Sequence, residues 1–272
     1  NGGGAQDYSV KAPLIWGAQR GSSDVVVAIL DTGITSHPDL DANVVSGYDF
    51  VSDVAVANDG DARDPDPADP GYWITPAEAA YGEFQGCDVT NSSWHGTHVA
   101  GTVAAVQGNA LGVTGVAPEA RIQSVRVMGK CGGYVSDIAA GITWASGGSV
   151  PGVPPNPTPA KVLNMSLGGS GTCFAGSLYG SSISCAIARG ATVVAAAGND
   201  DESLANHPPA NCAGVIAVTA SDSRGQRSAY SNYGDYPGQA TIAAPGGDFS
   251  VDGGILSTVN AGTTSPVPAG AT

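Results

Sequence analysis

A histidine and an aspartate in this chain stand in surroundings that suit acid–base chemistry. His95 belongs to the stretch WHGTHVAGT, which begins at Trp94 and predicts a junction between a loop and a helix. Asp31 follows the apolar run VAIL and precedes Thr32 and Gly33, which indicates the end of a strand. A carboxylate that orients an imidazole, joined by a nucleophile, is the arrangement used for acyl transfer. The two motifs therefore predict that Asp31 and His95 work together.

Each motif alone is weak. Asp-Thr-Gly also occurs in aspartic proteases, where two carboxylates share a proton, but a second Asp-Thr-Gly or Asp-Ser-Gly is not found in the sequence. His95 and His98 are three residues apart and lack the nearby glutamate of a zinc-binding HExxH helix. Metal binding by this pair of histidines is therefore disfavoured.

The composition narrows the class of protein. A formal net charge of −14 argues against nucleic acid or an anionic membrane as a partner, and it suits binding of hard cations. Only 12% of the residues are charged and 40 are glycine, which is typical of a compact, loop-rich secreted protein. The chain begins at Asn1 without a signal-like segment, so we expect a processed protein, and no apolar run is long enough to span a membrane.

Short apolar, β-branched runs alternate with helical stretches rich in alanine and glycine. This alternation predicts an α/β fold of three layers, with a mainly parallel sheet and helices on both faces. We expect one domain over residues 1–272, with Val150–Pro159 as a surface loop and Ala261–Thr272 as a mobile tail. The predicted strands are Val25–Leu30, Arg121–Val127, Lys161–Met165, Ala191–Ala197 and Val215–Thr219, and the predicted helices are His95–Val106, Val135–Ala145 and Leu178–Ala188.

Taken together and in this order, the motifs resemble the subtilisin-like serine proteases (subtilases). The resemblance runs from about Lys11 to Pro245. The motifs that carry it are Leu-Asp-Thr-Gly at Asp31, His-Gly-Thr-His-Val-Ala-Gly-Thr from His95, Gly-Val-Thr-Gly-Val-Ala-Pro from Gly112, Asn-Met-Ser-Leu-Gly-Gly from Asn164, and Ala-Ala-Ala-Gly-Asn ending at Asn199. The resemblance implies a secreted serine endopeptidase that acts on proteins or peptides.

The resemblance also implies a role for each site residue. Asp31 would fix the tautomer of His95, His95 would be the general base, and Asn199 would donate its amide to the oxyanion. A peptide would add as a β-strand between two segments, residues 166–168 and residues 131–133. The implied substrate-binding residues are Ser166, Leu167, Gly168, Ala196, Gly198, Gly132 and Gly133.

The nucleophile is the departure from the family pattern. Subtilases carry it in Gly-Thr-Ser-Met-Ala, after an Ala-Pro-Gly segment that is present here at Ala244. Gly-Thr-Thr-Ser ending at Ser265 is superficially close, but Pro266 follows it, and Ser166 is expected to pair with substrate through its backbone. We expect the serine to lie outside these 272 residues, for example on a companion C-terminal chain. The alternative is a fragment that lacks a nucleophile and binds peptides without cleaving them.

The family commonly binds calcium, and two parts of this sequence match that expectation. The first set of expected ligands is Asp39, the side chain of Asn109, and the backbone carbonyls of Gln107, Leu111 and Val113. The second is the acidic, proline-rich loop from Asp59 to Asp69, where Asp61, Asp64 and Asp66 are close in sequence. The alternatives are that Asp39 caps a turn and that the acidic loop is simply solvated.

Five cysteines suggest two disulfides and one free thiol. We expect the pairs Cys87–Cys131 and Cys173–Cys212, although the sequence alone permits other pairings. Cys185 is expected on the buried face of a helix. A cysteine hydrolase using Cys87 or Cys131 is a weak alternative, because neither stands at the start of a helix.

Overall fold

The computed structural model describes residues 8–236 and 238–269. These residues cluster into two compact units. The larger unit contains residues 21–163 and 257–269, and the smaller unit contains residues 8–20 and 164–256 except residue 237. The boundary between the units falls within one strand.

Among the described residues, seven strands follow the order β2-β3-β1-β4-β5-β6-β7 across the sheet. The strands are β1 (Val26–Asp31), β2 (Val44–Asp49), β3 (Arg121–Arg126), β4 (Val162–Met165), β5 (Thr192–Ala196), β6 (Ile216–Ser221) and β7 (Ile242–Pro245). The α-helices are α1 (Ala12–Ile15), α2 (Val54–Ala57), α3 (Pro76–Ala80), α4 (His95–Ala104), α5 (Val135–Ala145) and α6 (Leu178–Ala188).

In the larger unit, β3 lies between β2 and β1, and both pairings are parallel. Every residue of β1 is buried, which explains why its sequence is apolar without alternation. Val27 and Ile29 pack with Ala100 and Ala104 of α4. Leu30 points toward Gly141 of α5. Because successive side chains of a strand point to opposite faces, α4 and α5 cover the two faces of this sheet.

In the smaller unit, β5, β6 and β7 pair in parallel. Helix α6 packs on β5. The buried residues of α6 are Tyr179, Ser182, Ile183 and Ala186, which recur at the helical spacing of three and four. The predicted three-layer α/β fold with a mainly parallel sheet is confirmed. No helix in the described part of the chain combines the length and apolar character that crossing a membrane requires.

The C-terminal residues of the larger unit are anchored, so the predicted mobile tail is wrong for residues 262–267. The backbone carbonyls of Gly262 and Thr264 accept hydrogen bonds from the side chains of Trp94 and Ser92. The side chain of Asn260 bonds both backbone groups of Val267. The last part of the predicted tail, residues 270–272, lies outside the described residues.

Candidate active site

Asp31 and His95 meet where a strand ends and a helix begins. Asp31 is the last residue of β1 and is 1% exposed, while His95 is the first residue of α4. His95 Nδ1 lies 2.7 Å from Asp31 Oδ1, which also accepts a hydrogen bond of 2.8 Å from the backbone N–H of Thr32. Since Asp31 occupies Nδ1, Nε2 is the ring nitrogen that can accept a proton from another group.

The surroundings of His95 favour its protonated form. The hydrogen bond to Asp31 raises the pKa of His95, burial opposes this, and the charges of Asp31 and Asp69 add to the rise. The His95 side chain is 41% exposed, so reactants can reach the ring. Asp31 Oδ2 is buried and has no hydrogen-bond partner among the described residues. This arrangement suits a general base whose imidazolium form is stabilised by a neighbouring carboxylate.

A short polar network holds the start of α4 against the end of β1. The N–H of Gly96 donates to Thr32 Oγ1 over 3.1 Å, and Thr32 Oγ1 donates to Asp69 Oδ2 over 2.8 Å. A Cβ on Gly96 would lie 2.1 Å from the carbonyl oxygen of Gly33, so only glycine permits this approach. Asp69 is 2% exposed, and burial raises its pKa. Sequence reasoning missed the role of Asp69, because the acidic loop that contains it indicated a solvated or cation-binding segment.

In the smaller unit, Asn199 lies in an exposed position in the loop after β5. Ala196 is the last residue of this strand and is exposed. Gly198 has a φ of +111°, and a Cβ there would lie 2.2 Å from Asn232 Nδ2. Glycine is therefore required at position 198 both for backbone conformation and for space.

Asn232 is a site residue that the sequence analysis did not find. Its side chain is completely buried and bridges the loop on both sides of Asn199. Asn232 Oδ1 accepts from the N–H groups of Asp200 (2.9 Å) and Glu202 (3.0 Å), and Nδ2 donates to the carbonyl of Ala197 (3.0 Å). No local pattern marks this asparagine, because its partners lie about 30 positions earlier in the chain.

The segment expected to bind substrate in the smaller unit follows β4. Ser166 is half-buried and its hydroxyl accepts from Asn164 Nδ2 over 2.9 Å. Leu167 is buried, whereas Gly168 is exposed. Beyond it, the N–H of Gly169 donates to the carbonyl of Pro208 over 3.0 Å, which fixes this end of the segment to its own unit.

The corresponding segment of the larger unit is a narrow hairpin. The N–H and C=O of Gly132 both bond to Gly129, at 3.2 and 2.8 Å, so Gly132 is not available to pair with a peptide. Cys131 and Gly132 have φ angles of +64° and +108°, so the backbone turns here and is not extended. A Cβ on Gly133 would lie 2.3 Å from the carbonyl oxygen of Val127, which explains the glycine.

The first expected calcium site has oxygen donors of the right kind. Asp39 is completely buried and takes part in none of the ion pairs among the described residues. Its Oδ1 accepts from Asn109 Nδ2 over 2.7 Å, and its Oδ2 accepts from the N–H of Val113 over 2.8 Å. The loop from Gln107 to Val113 thus folds over Asp39. Both groups that face the Asp39 carboxylate are N–H donors, and Asn109 Oδ1 accepts from the N–H of Leu111 over 3.1 Å.

The acidic loop does not fit a calcium ion in the same way. Asp64 and Asp66 accept backbone N–H groups two residues further on, and Asp61 is exposed. Within the described residues, no three or more histidine, cysteine, aspartate or glutamate side chains are gathered in a way that could hold a metal ion. Two arginines hold this loop. Buried Arg126 contacts Asp59 of the loop and also Asp49, and half-buried Arg63, itself a loop residue, contacts Asp137.

The disulfide predictions are confirmed. Cys87 pairs with Cys131 in the larger unit, and Cys173 pairs with Cys212 in the smaller unit. The cysteine-hydrolase alternative therefore has no free thiol at its two candidate positions. Cys185 is free, but the prediction that it is buried is wrong. It lies outside the buried stripe of α6, whose nearest members are Ile183 and Ala186.

The chain is similar to extracellular proteases of bacteria. It is 51% identical to an extracellular protease of Xanthomonas campestris over 92% of this chain and 40% of that protein. It is 43% identical to an extracellular basic protease of Dichelobacter nodosus over 96% of this chain and 42% of that protein. The chain therefore spans less than half the length of these two relatives.

A solved structure and a family pattern agree with these relatives. A protease structure from Pseudoalteromonas arctica matches with a TM-score of 0.89 at 50% identity, covering 97% of this chain and 75% of that one. Thermitase of Thermoactinomyces vulgaris is 35% identical over 87% of this chain and 68% of its own length. The sequence pattern of the subtilase family of peptidases matches residues 22–270 of this chain. The chain belongs to the subtilase family.

Proposed function

We propose that this chain forms most of a secreted serine endopeptidase in which Asp31 and His95 are the acid–base pair. The observation that carries the proposal is the 2.7 Å contact of His95 Nδ1 with a buried carboxylate at a strand end. The family membership supports the reaction class, and the two relatives named as extracellular support secretion. Protein or peptide chains are the substrates.

The reaction follows from the two nitrogens of the His95 ring. Nε2 takes the proton of a serine hydroxyl as its oxygen attacks the peptide carbonyl carbon, and Asp31 stabilises the imidazolium that results. Nε2 then gives the proton to the departing amine, which leaves an acyl-enzyme. Water repeats the sequence and releases the acid. Asn199 donates its amide to the oxyanion in both halves, a contribution of about 3–4 kcal/mol, a magnitude that comes from subtilisin, a member of the same family.

The nucleophile is proposed to be a serine outside residues 1–272. Two serines inside the chain have their hydroxyls engaged elsewhere. Ser257 Oγ donates to the backbone carbonyl of His98 over 2.7 Å, and Ser166 Oγ accepts from Asn164. Ser265 is followed by Pro266, and no helix begins after it within the described residues, whereas the family motif places its nucleophile at a helix start. A companion segment docked on this chain would complete the triad.

Calcium is proposed as a stabilising ion of the larger unit. Asp39 and Asn109 would hold it with the carbonyls of Gln107, Leu111 and Val113, and it would offset the buried negative charge of Asp39. The ion takes no part in the chemical steps.

Cleavage of an unstructured protein substrate tests the proposal. The variant His95→Ala should lose on the order of 10⁴-fold or more in kcat, the scale seen when a triad member is removed. His98→Gln, one turn further along the same helix, is the matched control and should cleave normally. Peptide binding without cleavage by the intact protein would instead favour the fragment that lacks a nucleophile.

A further inference from the structure

The residue directly before His95 has an unusual backbone conformation. Trp94 has φ 57° and ψ 39°, the left-handed region that normally favours glycine or asparagine. It precedes the first residue of α4 and provides no side-chain cap for that helix. Its side chain is nevertheless only 2% exposed. A strained backbone at a functional site persists only where the surrounding contacts fix it.

Among the described residues, one hydrogen bond fixes the Trp94 ring. Its indole Nε1 donates to the carbonyl oxygen of Gly262 over 2.6 Å. Two residues earlier, the N–H and hydroxyl of Ser92 donate to the carbonyls of Thr263 and Thr264, at 2.9 and 2.6 Å. Residues 262–264 are therefore hydrogen-bonded to Ser92 and Trp94, which directly precede α4.

The same C-terminal segment is also bound to the first turn of α4. The hydroxyl of Thr258 donates to the carbonyl of Thr97 over 2.8 Å, and that of Ser257 donates to the carbonyl of His98 over 2.7 Å. The segment 257–264 thus contacts α4 just before and just after His95. A rotation of the helix start about its axis would break contacts on both sides.

We propose that Trp94 is a positioning residue for His95, and that its bond to Gly262 sets the rotation of the helix start. The His95 ring depends on this rotation, because its Nδ1 has to meet a carboxylate that β1 holds rigidly. The Trp94 backbone conformation follows from the same requirement, since it is what turns the indole toward Gly262 as the chain enters α4. A glycine at position 94 would satisfy the backbone but would leave the helix start unattached.

This inference rests on the proposed function, because it concerns the same acid–base pair, but it can be tested without substrate. The readouts are the low-field proton resonance of His95 Nδ1–H and the titration of the His95 ring. Asp31 and Asp69 are the charged groups whose interaction with His95 raises its pKa. A change in the distance between Nδ1 and Asp31 alters both readouts, whereas a purely structural loss of packing at Trp94 does not.

The variant Trp94→Phe removes the N–H and keeps an aromatic ring. Trp144→Phe is the matched control, because Trp144 is also 2% exposed and its Nε1 donates to the carbonyl of Pro154 over 2.8 Å. We expect Trp94→Phe to broaden or abolish the Nδ1–H resonance and to lower the pKa of His95. Trp144→Phe should leave both unchanged, even if the two variants lose similar stability.

A second substitution protects the test against misfolding of Trp94→Phe. A tryptophan analogue in which sulfur replaces the ring N–H keeps the full shape of the side chain. It should reproduce the effect of Trp94→Phe on His95. Wild-type resonance and titration in the folded analogue-containing protein would overturn the proposal. Labelling by a serine-directed phosphonate tests the proposed function separately, so the two failures are distinguishable.

Discussion

Replacing Asn232 by alanine should release the loop that carries Asn199. The side chain makes three hydrogen bonds to buried or half-buried backbone groups: the N–H groups of Asp200 and Glu202 and the carbonyl of Ala197. At about 1 kcal/mol for each bond, the variant should lose about 3 kcal/mol of unfolding free energy. The empty space left by a fully buried side chain adds to this loss.

The assay is amide hydrogen exchange combined with urea unfolding. In Asn232→Ala, the amide protons of Asp200 and Glu202 should exchange faster by more than the global loss of stability explains. Asn211→Ala is the control, since Asn211 bonds the carbonyls of Gly171 and Ala205 in the same unit but not the Asn199 loop. Wild-type exchange at Asp200 and Glu202 in Asn232→Ala would refute the reasoning.

Three further predictions concern charge, calcium and the free thiol. The base must be neutral, so the rate of peptide cleavage should fall on acidification with a midpoint above the ordinary histidine pKa. Asp31→Asn should move this acidic limb of the pH–rate profile to lower pH. An unmoved limb would contradict the role of Asp31. The raised pKa of His95 in the folded state also means that its contribution to stability is full below the unfolded value and is lost as pH rises through the folded value. Chelation should lower the Tm of the wild type and of Asp61→Asn but not that of Asp39→Asn, and an equal fall in all three would place the ion elsewhere. Cys185 should react with a thiol reagent in the native protein at one thiol per chain, and reaction only after denaturation would contradict its exposure.

The parts of the fold with a regular local pattern could be predicted from the sequence. Helices α5 and α6 begin and end where the pattern predicted, and β1 lies within one residue of its predicted bounds. Strand β2 was missed because Gly47 interrupts it. A Cβ there would lie 2.0 Å from the carbonyl oxygen of Ser124, so packing against β3 requires glycine. Glycine is uncommon inside strands, and the sequence therefore did not indicate a strand here. Strand β7 was missed because its alanines and proline have little strand propensity.

In the candidate site, too, features with a local sequence pattern could be predicted and contacts between distant positions could not. Asp31 and His95 were recognised because each carries its motif locally, and the disulfide pairs were expected while the sequence alone still permitted other pairings. The contacts that hold the site could not be predicted, because they join distant positions. Trp94 meets Gly262 across 168 residues, and Thr32 meets Asp69 across 37. Asp59 of the acidic loop likewise contacts Arg126 across 67 positions.

The most direct test of the account is to map a serine-directed phosphonate on the intact protein by mass spectrometry, in the wild type and in His95→Ala. If Asp31 and His95 activate a serine, the wild type should carry one label, on a serine outside residues 1–272, and His95→Ala should carry none. Label on Ser166, Ser257 or Ser265, or labelling that does not depend on His95, would contradict the account.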